Sequence, residues 1–311
     1  MSKVLPQLVS PNQQASVKGR QISYAGLIAF ELLDRRRKSK NPGIMFKLDI
    51  EKAFDNVSWD CLFKVLSKLG FPSKWQSWIR GTMCSPVIST LINGEAKGYF
   101  QPQKGPRQGD SLSSGLFSLV MDVLSFRMNK VQEAEKIKGF CMNKNRGAGE
   151  VSHVLFADDT LIFCDASCDQ VLSIMATLVC FQAVSGLRIN LDKSIMFTVG
   201  DVPNSEFFAN IIGCRWSNEP FKYVGFPLGS KVNAIATWDP IIEKYQQRLE
   251  GWKARFLSFG GRLVLNKSVL SNHPSYYFSL LRAPMEVVNR IEKIQRRFVW
   301  SGTTDNQRIP L

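Results

Sequence analysis

The stretch Val151-Ser152-His153-Val154-Leu155-Phe156-Ala157-Asp158-Asp159-Thr160-Leu161-Ile162-Phe163-Cys164 decides the reading of this chain. Two short apolar runs, rich in β-branched and aromatic residues, flank a pair of adjacent aspartates. Runs of this length and composition predict strands. The pair then sits at the tip of a β-hairpin, with both carboxylates held at one end of a sheet. Like charges side by side repel, so the arrangement is costly unless a cation is shared between them. A divalent-metal site for phosphoryl transfer is built in that way. Taken alone, adjacent aspartates in a turn are most often solvated turn residues. The rest of the chain decides between the two readings.

Upstream, Ile44-Met45-Phe46-Lys47-Leu48-Asp49 predicts a strand that ends on a carboxylate. Asp49 could cap the next turn. On a strand beside Asp158 and Asp159, it completes a three-carboxylate cluster able to hold two Mg²⁺ ions about 3.5–4 Å apart, a spacing that serves both oxygens of an in-line displacement. Helices are predicted at 21–37, 59–69, 73–82, 112–131 and 169–184, and strands at 86–92 and 98–102 with Asn93-Gly94 as their turn. Short strands are expected near Ile195 and Tyr223. From Trp238 onward the pattern is entirely helical. In 286–300, Val287, Ile291, Ile294 and Phe298 form an apolar stripe, with Arg290, Lys293 and Arg297 on a neighbouring face.

The 311 residues, 44% hydrophobic and 21% charged, predict a globular chain of two or three domains. A net charge of +14 points to a polyanionic partner, and residues 241–300 hold 11 Lys or Arg against 4 Asp or Glu, half of that excess. Seven cysteines without paired spacing suggest reduced thiols in an intracellular protein. Cys164 and Cys168 near His153 lack the second pair that a zinc site needs. No leader is visible, and no apolar run is expected to span a bilayer, so no membrane partner is expected. The sequons at Asn56 and Asn266 then carry no weight.

Five strings now come into one order: KLDIEKAFD (47–55), GPRQGDSLS (105–113), FADD (156–159), SGLRINLDKS (185–194) and YVGFPLG (223–229). They resemble the palm motifs of reverse transcriptases, in particular those of plant LINE-type, non-LTR retrotransposons. NQQASVKGRQI (12–22) resembles the segment before the catalytic strand. The helical end, from Trp252 through GGRLVLNKSVL (260–270) to Ser301-Gly302, resembles the thumb. The resemblance implies an α/β right-hand polymerase palm with partial fingers, followed by an all-helical thumb. It divides the chain into a fingers remnant (1–43), palm (44–58 and 105–229), a fingers-side insertion (59–104), a basic thumb (230–302) and a tail (303–311).

The same resemblance implies roles. Asp49 and Asp158 are the main metal ligands, with Asp159 and the carbonyl of Ile50 close by, for two Mg²⁺ ions or Mn²⁺. Phe54, five residues after Asp49, lies beneath the sugar of the incoming dNTP and clashes with a 2′-hydroxyl; otherwise it is a core aromatic. Gln108 and Gly109 pack against the nucleotide, and Arg107 either neutralises phosphate or is a solvated cation. Lys193 protonates the leaving pyrophosphate, or is a surface lysine after a turn. Tyr223, Gly225 and Gly229 belong to the primer grip. Arg290, Lys293 and Arg297 track the backbone of a duplex of RNA template and DNA primer, or form a solvated helix face.

Departures from the family pattern are Ser16 at an aromatic position, Ser23-Tyr24-Ala25 in a usually more polar stretch, and Pro106 and Ser111 in the palm loop. The family's endonuclease, early finger motifs and Cys/His-rich segment are missing, so a truncated piece of an element is expected. The expected activity is RNA-directed DNA polymerisation, with a nuclear location by analogy. The rivals are an inactive relic that at most binds nucleic acid and a group II intron maturase, whose splicing domain has no room here.

Overall fold

The central strand follows directly from its sequence: Gly43-Ile44-Met45-Phe46-Lys47-Leu48 is apolar on both sides, and both sides are buried. The computed structural model describes residues 1, 3–142, 149–229, 238–248, 257–270, 278 and 283–300. In order the chain forms α1 (Leu5–Leu8), α2 (Ile22–Lys38), β1 (Gly43–Glu51), α3 (Ala53–Asn56), α4 (Trp59–Lys68) and α5 (Ser73–Cys84). Then come β2 (Ile88–Ile92), β3 (Glu95–Phe100), α6 (Ser111–Glu133), β4 (Phe140–Cys141), β5 (Glu150–Val151), β6 (His153–Phe156) and β7 (Asp159–Asp165). They are followed by α7 (Cys168–Ser185), β8 (Arg188–Val199), α8 (Ser205–Ile212) and β9 (Arg215–Ser217). Contacts divide the chain into Met1–Glu219 and Pro220–Leu311.

In the first unit the sheet order is β6-β7-β1-β8-β9. β1 pairs antiparallel with β7 and β8, and β9 runs parallel to β8. Directly opposed residues share a face. Ile44, Phe46 and Leu48 join Ile162 and Met196 in one core with Leu62, Phe117 and Phe181 from α4, α6 and α7. Met45 lies opposite Phe163 and Phe197 on the other face. There Phe140 packs on Phe163 at 5.2 Å, and Ala25, Ala29, Leu32 and Leu33 of α2 are buried. Each large side chain buried this fully stabilises the fold by about 1.5–3 kcal/mol.

Where they fall on described residues, the predicted elements form, with boundaries shifted by a few residues. Two expectations need correction. The short strand near Ile195 is the 12-residue β8, whose apolar pattern is broken by polar residues that leave the ladder. The expectation that nothing is apolar enough to span a bilayer also fails by length and composition, since α7 has 18 residues and a mean hydropathy of 1.4. Its Val171, Ile174, Leu178 and Phe181 are buried in the core described above, while Leu172, Met175, Val179 and Val184 are exposed. The β4–β5 ribbon, α8 and β9 were not anticipated, being too short for periodicity to register.

In the second unit, β10 (Phe221–Tyr223) and β11 (Phe226–Leu228) form a hairpin. Helices follow at Asp239–Arg248 and Phe259–Leu265, the latter running into a π-helical turn at Asn266–Leu270, and then at Met285–Trp300. In the last, Val287, Ile291 and Phe298 are buried with Val299, and Ile294 is half-buried. Trp252, Ser301, Gly302 and the 303–311 tail lie outside the described residues.

Candidate active site

Three features of local geometry converge at the C-terminal end of β1. The first is the hairpin: Phe156 pairs with Asp159, leaving Ala157 and Asp158 as a two-residue turn. Ala157 has φ +53°, a left-handed conformation that ordinary residues adopt rarely. The β1–β7 ladder ends at Leu48–Thr160, one step short of Asp49 and Asp159. Asp49 and the turn therefore lie at the same edge of the sheet.

The second is a bulge. Lys47 pairs with Ile195, but Asp49 pairs with Asn190, so two steps along β1 match five along β8. Residues 191–194 leave the ladder, and the buried Ser194 holds them in place. Its Oγ accepts the Asp49 N–H at 3.1 Å and donates to the Asn190 carbonyl at 2.7 Å. The Lys193 N–H donates to Asn190 Oδ1 at 3.2 Å. Bulges beside active sites re-aim side chains, and this one carries Lys193.

The third is the loop before α6. Gly105 has φ +82°, and a Cβ there would stand 2.6 Å from the Phe54 carbonyl oxygen. Only glycine lets the loop approach α3 so closely. Its N–H donates to the Val57 carbonyl at 2.9 Å, and its carbonyl accepts Trp59 Nε1–H at 3.0 Å. The loop ends at Asp110, whose side chain caps α6 at the Leu112 N–H.

Together these place Asp49, Ile50, Phe54, Gln108, Asp158 and Lys193 on the walls of one cleft of about 540 Å³. Phe54 is half-buried and stacks on Phe117 at 4.7 Å, so it is both a core-packed ring and a wall of the cleft. The walls carry four carboxylates, Asp49, Glu51, Asp55 and Asp158, against two ammonium groups, Lys52 and Lys193. An acidic cleft in a chain of net charge +14 is suited to a cation.

Asp159, the first residue of β7, lies outside the cleft's lining, whereas Asp158 in the turn is part of it. Burial pushes its carboxyl above the ordinary carboxylate range; Lys47 opposes this, while Asp158 and Asp49 add to it. The expected cluster of three carboxylates is thus two in the cleft and one within their electrostatic reach. Among the described residues, no three His, Cys, Asp or Glu side chains form a cage for a metal ion. The donor set fits Mg²⁺ nonetheless, which is commonly held by one or two carboxylates together with substrate phosphates.

Arg107 and Gly109 are exposed beside Gln108, outside the cleft's lining. The residues expected to grip the primer fall in the second unit. Tyr223 is buried at the end of β10, and Val224 and Gly225 form a two-residue turn with φ +49° and +79°. Gly229, φ +88°, follows β11. Arg290, Lys293 and Arg297 are exposed on the Met285–Trp300 helix, but Arg290 pairs with Glu286 at 2.6 Å and lies 3.6 Å from Asp239. Sequence reasoning passed over Ser194, although it lies inside a quoted motif, because nothing local shows that its hydroxyl reaches β1.

This sheet, with carboxylates from β1 and from the β6–β7 turn at one cleft, defines the palm of a right-hand polymerase. The chain belongs to the reverse transcriptase family: residues 1–228 match "Reverse transcriptase (RNA-dependent DNA polymerase)". It is 28% identical over 206 residues to a Pol polyprotein of the type-1 retrotransposable element R2 of Popillia japonica, covering 63% of this chain and 32% of that one. It is 24% identical over 315 residues to an uncharacterized 149 kDa protein of the transposon TX1 of Xenopus laevis, covering 97% of this chain and 23% of the other. The chain therefore spans a third or less of the length of these relatives. A telomerase of Candida tropicalis, solved with a TWJ fragment of telomeric RNA, shares the fold at a TM-score of 0.50 and 12% identity, over 92% of this chain and 43% of that one.

Proposed function

We propose that this chain is the polymerase domain of a non-LTR retrotransposon of the plant LINE type, copying an RNA template by adding dNTPs to a DNA primer. The observation that carries this reading is the single cleft formed by Asp49 and Asp158 with Phe54, Gln108 and Lys193, drawn from four separate segments. In the reaction the primer 3′-oxygen attacks the α-phosphorus of the dNTP. A new P–O bond forms, the α–β bridging P–O bond breaks, and pyrophosphate leaves. Asp49, Asp158 and the Ile50 carbonyl would hold two Mg²⁺ ions, or Mn²⁺ in their place, with Asp159 adding negative potential. Once bound, the ions supply Lewis-acid stabilisation of the attacking and leaving oxygens.

The chain's own groups do the rest. Phe54 stands under the sugar and excludes a 2′-hydroxyl, its ring backed by Phe117. Gln108, Gly109 and Arg107 meet the base pair and phosphates. Lys193 delivers a proton to the leaving pyrophosphate. Tyr223, Gly225 and Gly229 steady the primer end, and Arg290, Lys293 and Arg297 contact the backbone of the template–primer duplex. The domain division follows the same reading, with palm at 44–58 and 105–229, fingers-side segments at 1–43 and 59–104, and thumb at 230–302. The working place is intracellular, in the nucleus.

The test is extension of oligo(dT) on poly(rA) with dTTP and Mg²⁺. The parent chain should extend the primer, and Asp158→Ala/Asp159→Ala should fall by about 10³-fold or more. No extension by either would leave this chain an inactive relic that at most binds nucleic acid.

A further inference from the structure

One buried side chain joins the N-terminal segment to the catalytic turn. Residues 12–14 run parallel alongside β6: the Leu155 N–H donates to the Asn12 carbonyl at 2.9 Å, and the Gln14 N–H to the Leu155 carbonyl at 2.8 Å. Between them Gln13 is fully buried, and its side chain turns toward the hairpin tip. Gln13 Oε1 accepts the Ala15 N–H at 3.0 Å and the Ala157 N–H at 3.2 Å. Two backbone donors fix which amide atom is the oxygen, with no ambiguity of flip. The Nε2 group has no partner among the described residues, so Gln13 serves as an acceptor alone.

The strap that carries Gln13 is itself pinned. The Arg20 guanidinium donates to the carbonyls of Ser10 at 2.6 Å, Val9 at 3.1 Å and Gln13. Asn12 Nδ2 lies 3.0 Å from His153 Nε2. A rigid strap therefore presents one fixed oxygen to the backbone of the turn. That turn needs holding, since Ala157 sits at φ +53° immediately before Asp158.

We propose that Gln13 is a positioning residue, whose side-chain oxygen locks the Ala157–Asp158 turn and thereby aims the Asp158 carboxylate into the cleft. The inference rests on the polymerase reading for its consequence, but not for its geometry. Gln13→Glu keeps the acceptor oxygen and replaces the unpartnered nitrogen with a second oxygen that carries charge when ionised. Gln13→Met keeps the shape and removes the acceptor.

The first measurement is amide hydrogen exchange of Ala157, with the β1 amides as an internal reference for folding. In Gln13→Met the Ala157 amide should exchange about tenfold faster while β1 stays protected. Its kcat for primer extension should fall about 10²-fold with template–primer affinity unchanged, since small misplacements at a reacting centre cost that much. Gln13→Glu should keep Ala157 exchange within about threefold of the parent, as a retained acceptor requires. Unchanged Ala157 exchange in Gln13→Met would overturn the proposal. So would Gln13→Glu losing Ala157 protection while β1 keeps its own, which also decides the matter if the Met variant does not fold. If the parent chain extends no primer, the polymerase reading fails, and the Ala157 amide still decides the role of Gln13.

Discussion

Lys193 is a lysine whose meaning depends on a few ångströms. In sequence it follows Asn190-Leu191-Asp192 and reads equally as a solvated residue after a turn. In the structure it lines the same cleft as Asp49 and Asp158. An ammonium group there can give a proton to a leaving phosphate oxygen and neutralise charge that develops on it. Lys193→Ala should lower kcat by about 10²-fold with little change in KM for dTTP. Lys193→Arg should recover charge neutralisation but not proton transfer, because a guanidinium does not release its proton near neutral pH. Steady-state extension assays across pH check both; equal rates for all three proteins would remove Lys193 from the chemistry. The aspartate pair was legible because its flanking runs are unambiguous strands. That Asp158 enters the cleft and Asp159 stands beside it was not, since strand patterning does not tell which of two neighbours faces a site.

At the level of elements, the hairpin is carried by local sequence and the bulge is not. The β6–β7 turn is dictated by two apolar runs separated by polar residues, a signal contained within a dozen positions. The bulge in β8 depends on a register slip against β1, which is visible only once the strands pair. Ser194 holds that slip through the Asp49 N–H and the Asn190 carbonyl. Ser194→Ala removes the acceptor and leaves a buried N–H unpaired, which costs about 1–3 kcal/mol. Because the lost bond lies at Asp49 and next to Lys193, activity should fall by more than the stability change explains, about tenfold or more at a temperature where the variant is fully folded. Thermal melts beside extension assays check this. A variant that loses stability but keeps kcat would show that the bulge serves the fold alone.

For the whole molecule, charge and burial pull in directions that a pH titration separates. Burial pushes Asp122 up to about 6, with the Ser10 N–H and Arg20 opposing the shift. Burial pushes His153 down to about 4. The two are joined through Ser10 and Ser125, the latter 2.7 Å from His153 Nε2. For Asp122 the folded state binds the proton more tightly, so stability falls as pH rises from about 4 to about 6. For His153 the unfolded state binds it more tightly, so stability falls as pH drops from about 6.5 to about 4. The two trends oppose each other across the same window. Asp122→Asn keeps an acceptor for the Ser10 N–H and removes the buried charge. Its Tm should exceed the parent's by about 2–4 °C at pH 7–8, with the gain vanishing by about pH 4. A gain of the same size at pH 4 would show that it does not arise from the buried Asp122 charge.

Sequence by itself determined the mixed α/β order, the hairpin bearing Asp158 and Asp159, the strand ending at Asp49, and the apolar stripe of the last helix. Each is written in a short repeat of apolar and polar residues, or in a turn, that the chain reads locally. Tertiary structure alone decided the order β6-β7-β1-β8-β9, the slip that carries Lys193, and the approach of Gly105 to Phe54. It also decided that Gln13 meets the turn at Ala157, 144 positions away. The physical reason is common to all four. A backbone N–H donates to, and a carbonyl accepts from, any suitably placed partner, so identity at one position carries no record of which distant group will satisfy it.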